Sequence, residues 1–117
     1  MLVCFDFDGV INSYTSGWIA EDVIPDPPVK DIVAIMTHLL CLGYTVAVFS
    51  SRCATDKGFE AVKKYMEQWE IPYSFISRTK PPAFVTIDDR CICFDGTTDT
   101  LIDQIQAFKP WYHKGDE

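Results

Sequence analysis

Apolar residues along this chain fall into short continuous runs that alternate with longer runs spaced at three and four positions. The short runs predict buried strands and the spaced runs predict helices with one apolar face. The first short run covers residues 2–7 and is closed by Gly9. A polar, proline-containing loop over residues 12–28 follows. Val29, Ile32, Val33, Met36, Leu39 and Leu40 then repeat at helical spacing, which predicts a helix over residues 29–42 with Pro27-Pro28 setting its first turn and Gly43 stopping it.

The alternation continues. Residues 44–49 form a second apolar run, and Phe59, Val62, Met66 and Trp69 share one face of a helix over 56–69, capped by Thr55 or Asp56. Short strands are predicted at 73–76 and 84–87, and a further one at 91–94. A last helix over 98–108 is expected to bury Leu101, Ile102, Ile105 and Phe108 before Lys109-Pro110 ends it. Strands alternating with helices predict an α/β fold, a Rossmann-like, doubly wound parallel sheet, because parallel neighbours need crossover connections.

Composition narrows the class. The 117 residues, 48% hydrophobic and 23% charged, suit one folded domain over 1–117. No apolar run approaches the roughly 18 residues that span a bilayer, and the N-terminal run carries acids, so the expected location is cytoplasmic, with no membrane partner. The five cysteines lack any C-x-x-C pair and are read as reduced core residues. A net charge of −7 argues against a broad nucleic-acid surface, although Arg52, Arg78, Lys80 and Arg90 leave room for a phosphate-sized positive pocket.

Ligand sites in such sheets lie beyond the carboxyl ends of the strands, and three of those ends carry polar groups here. They supply Asp6 and Asp8, then Ser50 and Ser51, then Asp88 and Asp89, with Lys80 just upstream of the last. Carboxylates converging on one edge repel, so a cation must sit among them, and the hard, oxygen-seeking Mg²⁺ suits Asp6, Asp8 and Asp88. A carboxylate such as Asp6 can take a phosphoryl group, and Asp8 can serve as acid and base. Ser50 and Lys80 can donate to the equatorial oxygens. Both histidines are set aside: His38 falls in a helix and His113 in the tail.

The segment Asp6-Phe7-Asp8-Gly9-Val10 resembles motif I of the haloacid dehalogenase superfamily, D-x-D-x-[TV]. Ser50 is similar to motif II, Lys80 to motif III and Asp88-Asp89 to the double-aspartate form of motif IV, in the family's order. The chain also resembles short phage and bacterial members of that superfamily in the stretches Ile24-Pro25-Asp26-Pro27-Pro28 and Lys80-Pro81-Pro82-Ala83-Phe84. The resemblance implies a Mg²⁺-dependent phosphatase. In it Asp6 is the nucleophile that becomes an aspartyl phosphate, Asp8 the general acid and base, and Ser50 and Lys80 the phosphate ligands. It places the metal on Asp6, the Asp8 backbone carbonyl and Asp88, with Asp89 in support or in exchange with Asp88.

Ser51 and Arg52 are carried as further substrate-binding candidates, against the plain reading of a loop serine and a solvated arginine. Trp18 is expected to lie over the core, with stacking on a base or sugar as the alternative. Trp111-Tyr112 is expected to pack down, and Asp95-Gly96 to be a turn. Neither gap between motifs has room for a cap domain, which implies an open site acting on a phosphoprotein, a polynucleotide end, or a small phosphate enclosed by an oligomer. The reading from another class is a catalytically silent binding or scaffold protein on the same fold.

Overall fold

Strand β1 (Leu2–Asp6) and strand β2 (Thr45–Phe49) form the middle of the sheet. Their side chains are buried on both faces, which is why their sequences read as unbroken apolar runs. Helix α1 (Ile32–Cys41) links them, and helix α2 (Asp56–Gln68) links β2 to strand β3 (Phe75–Ser77). Strand β4 (Val85–Ile87) and helix α3 (Leu101–Ala107) complete the computed structural model, which describes residues 1–112. Among the described residues the sheet has four strands in the order β3-β2-β1-β4, all parallel. The chain winds outward from β1 through β2 to β3, then returns to the other side of β1 for β4. The α/β class and parallel sheet agree with the sequence pattern.

Register then decides what meets what. Asp6 pairs with Phe49, and Phe5 with Ile87, so the residues that follow each strand emerge side by side. The core below them joins Val3, Phe5, Val46 and Val48 of the sheet to Met36 of α1 and Val62, Tyr65 and Met66 of α2. Phe7 meets the Tyr65 ring edge to face at 5.1 Å between centroids.

Several boundaries shift for local reasons. Helix α1 begins at Ile32 and not at residue 29, because Val29 N donates to Ile11 O at 2.8 Å and Pro28 bridges to Asn12, holding that stretch extended. Of the two cap candidates, Thr55 caps α2, its hydroxyl accepting from Gly58 N at 3.1 Å. Gly58 has a tertiary role as well: a Cβ there would run into the carbonyl oxygen of Arg52, so glycine lets α2 close on the 3-10 turn Ser51–Ala54.

Three expectations are overturned. Residues 91–94 form no strand and are largely exposed, since β4 is the outer strand and no described segment pairs with its free edge. Helix α3 buries none of its residues: Ile102 and Ile105 are exposed and Leu101 is half-buried. Its apolar spacing is that of a helix, but spacing cannot supply a surface to pack on. Among the cysteines only Cys4 and Cys53 are core residues, whereas Cys41, Cys91 and Cys93 are exposed and free. No described helix is long and apolar enough to cross a membrane.

Candidate active site

The acidic groups gather at the switch point between β1 and β4, where the strand order reverses. One carboxylate oxygen each from Asp6, Asp88 and Asp89 lies within 4.8 Å of the others. Three oxygens so close are a donor set for a hard cation. The cluster joins the Asp6 and Asp88 side chains to Asp89, which the resemblance places in support, while the Asp8 carboxylate turns to Arg52. Burial, the hydrogen bond with Asp89 and the charges of Asp88 and Asp89 together push the Asp6 carboxyl up to about 8. Without a cation, crowding is relieved by a proton.

Asp8 is held by two donors. Asn12 Nδ2 donates to its Oδ1 at 2.9 Å and Arg52 Nε to its Oδ2 at 2.9 Å. The turn that presents both aspartates is tight: Val10, Ile11 and Asn12 N–H groups all donate to Phe7 O, and Gly9 N donates to Asn12 O. Gly9 adopts φ +82°, and a Cβ on it would collide with the Asp89 carboxylate and the Tyr112 ring. Glycine is needed there for conformation and for space.

Ser50 is buried at the end of β2, its hydroxyl accepting from Arg52 N at 3.2 Å, and Ser51 opens the following turn. Lys80 is half-exposed with Nζ 3.6 Å from Asp88 Oδ2. Arg52 is 2% exposed, and its Nη1 donates to Ala20 O at 2.7 Å and Glu21 O at 2.9 Å. It is thus no solvated loop arginine. Its bonds run to Asp8 and to the loop after β1. Arg78 is turned to α2, pairing with Asp56 at 2.9 Å.

A cleft of about 310 Å³ opens over this edge, lined by Asp6, Asp8, Ser50 and Ser51 together with aromatic side chains. A larger hollow of about 400 Å³ lies against α2 beside Lys57, Glu60 and Lys64, away from the acidic cluster. Trp18 corrects an expectation. It does not cover the core but lines the cleft, 52% exposed, with the Arg52 guanidinium 4.4 Å from its ring centroid.

Tyr112 is the residue that sequence reasoning missed. The Trp111-Tyr112 pair does pack down, and it packs onto the site. Trp111 Nε1 donates to Gly9 O at 2.6 Å, and the Tyr112 hydroxyl donates to Asp89 Oδ2 at 2.6 Å while accepting from Arg90 Nε at 3.1 Å. Burial and the bond to Asp89 push the Tyr112 hydroxyl up to about 12, which keeps it a donor. A tyrosine more than a hundred positions from Gly9 carries no local signal of this contact. His113 lies outside the described residues, His38 sits in α1, and Asp95 holds a turn by accepting from Thr97 N at 3.0 Å.

Fold and site together define an α/β protein with a cluster of carboxylates competent for metal at the switch point of a parallel sheet. No protein-family model matches the chain, and no curated protein matches it. A solved chain in the structure of the Pnkp1/Rnl/Hen1 complex superposes with a TM-score of 0.53 at 16% identity, over 95% of this chain and 35% of that one. The chain therefore spans about a third of the length of that solved chain, and at this identity the likeness speaks to fold alone.

Proposed function

We propose that the chain is a capless phosphohydrolase of the haloacid dehalogenase type, one catalytic domain acting on phosphate monoesters. The observation that carries the reading is the Asp6, Asp88 and Asp89 cluster beside Asp8 at the end of β1. The residues fit Mg²⁺: Asp6, Asp88 and Asp89 offer oxygen ligands, and burial beside two other carboxylates, which pushes the Asp6 carboxyl up, favours a positive charge there. The bound ion would neutralise phosphate charge and keep the Asp6 carboxylate ionised.

In the first step an Asp6 oxygen bonds to phosphorus and the bond to the ester oxygen breaks. Asp8, oriented by Arg52 and Asn12, gives that oxygen its proton. In the second step Asp8 takes a proton from water, whose oxygen attacks phosphorus and releases phosphate and free Asp6. Ser50, Ser51 and Lys80 are the donors to the phosphoryl oxygens, and Lys80 also offsets the charge of Asp88. Arg52 acts by holding Asp8.

Release of phosphate from an aryl phosphate should require Mg²⁺ and stop with a chelator. Asp8→Asn should accumulate a phosphate adduct, seen by intact mass after acid quench, and Asp6→Asn should show none. Full activity in excess chelator, or an adduct on Asp6→Asn, would place the chemistry elsewhere. A silent scaffold on the same fold would turn over nothing under any of these conditions.

A further inference from the structure

The loop between β1 and α1 is anchored from three sides. Buried Asp26 accepts from Ser16 N at 2.8 Å and Ser16 Oγ at 2.6 Å. The Tyr65 hydroxyl of α2 donates to Asp26 O at 2.8 Å, and Arg52 Nη1 holds the carbonyls of Ala20 and Glu21. Trp18 sits on this fixed stretch. One side of its ring is covered by the Arg52 guanidinium, yet half of the residue remains open to the cleft that holds Asp6 and Asp8. The same cleft is lined by Tyr14 and Tyr112, whose rings meet edge to face at 5.4 Å between centroids.

An indole left half in water forgoes much of the burial that tryptophan ordinarily contributes. Here its backbone is tied down and a buried cation fixes its far side, so its free surface is presented in one orientation. A flat π system is the natural complement to such a surface, and stacking accepts any base.

Resting on the phosphohydrolase reading, we propose that Trp18 is the stacking platform for the base of a nucleotide whose phosphate monoester lies at Asp6. Trp18 and Asp6 line one cleft from different elements, so a ligand stacked on the indole with its phosphate at Asp6 bridges the two, as a nucleotide's ribose joins base to phosphate. The net charge of −7 limits contact with a long polyanion, so recognition is confined to one nucleotide, free or at the end of a strand.

The test compares kcat/KM with Mg²⁺ for a nucleoside monophosphate, for 3′- and 5′-phosphorylated oligonucleotides, and for ribose 5-phosphate, which lacks the base. The wild type should prefer a base-bearing substrate by about tenfold or more. Trp18→Ala should bring that ratio close to one, and Trp18→Phe should keep most of it. Loss of Trp18 as mere packing on Arg52 would slow all substrates together and leave the ratio intact, which overturns the proposal. Trp18→Leu, which keeps apolar bulk but no π face, makes the same comparison if Trp18→Ala does not fold. The better substrate among the nucleotide arms identifies the source as free nucleotide or strand end. A wild-type ratio near one, or preference for a phosphotyrosine peptide over every nucleotide, also overturns it. If nothing is hydrolysed, the phosphohydrolase reading fails by itself. Calorimetric binding of nucleoside monophosphate against ribose 5-phosphate, with and without Trp18, then decides the stacking inference by the same ratio.

Discussion

Arg52 Nε donates to Asp8 Oδ2 at 2.9 Å, joining a residue that follows β2 to one that follows β1. The arginine side chain is 1% exposed and the aspartate 16%. Truncating one member of such a pair leaves the other charge without its partner, and the two loop carbonyls lose a donor as well. Arg52→Met should therefore lower the unfolding free energy by about 3 kcal/mol, the smaller end of the buried-pair range because water reaches Asp8. Urea unfolding followed by circular dichroism measures it. A change below about 0.5 kcal/mol would mean that the pair is incidental.

Asp6 makes stability depend on pH in the metal-free protein. Its carboxyl is raised to about 8 in the fold from an ordinary 3.8, so between those values the folded state holds a proton that the unfolded state has given up. That contribution is fully present below pH 3.8 and is lost as pH rises through about 8. With a chelator present, the thermal midpoint should fall between pH 5 and pH 8.5 by more in the wild type than in Asp6→Asn, which cannot titrate at that position. Saturating Mg²⁺ should flatten the wild-type slope. Equal slopes for wild type and Asp6→Asn would show that the proton is not on Asp6.

Tyr112→Phe tests the closure of the C-terminal segment over the acids. The hydroxyl is a donor to the buried Asp89 carboxylate, and a hydrogen bond to a charged group is worth about 1.5–3 kcal/mol. The variant should lose roughly that much stability without metal, and Mg²⁺ should restore part of the loss by taking over the role of counter-charge. Gly9→Ala should be worse, because its methyl displaces both Asp89 and Tyr112 and the backbone is strained at φ +82°. Calorimetric Mg²⁺ affinity and urea unfolding read both effects. Unchanged metal affinity in Gly9→Ala would show that Asp89 is not needed to hold the ion.

The strand ends were legible from the sequence because a fully buried parallel strand is an unbroken apolar run, and the polar residue that ends it marks where the sheet meets solvent. On that logic Asp6 ends β1 while Ser50 and Asp88 follow β2 and β4, and the register of Asp6 with Phe49 and of Phe5 with Ile87 brings them together. Helix spacing was equally informative for α1 and α2, whose apolar faces meet the core. It misled for α3, since the same spacing describes an amphipathic helix whether or not a partner surface exists.

What the sequence determined by itself is the fold class and the edge at which the carboxylates gather, because both follow from local periodicity and from the order of elements along the chain. Only the tertiary structure decided which way each side chain turns there. Asp8 faces Arg52 and not the other acids, Asp89 joins the cluster, Trp18 opens to the cleft, and Tyr112 reaches across to Asp89. These are contacts between residues far apart in sequence. Their energies depend on packing and on the competition of buried charges for few donors, and neither leaves a periodic trace in the chain.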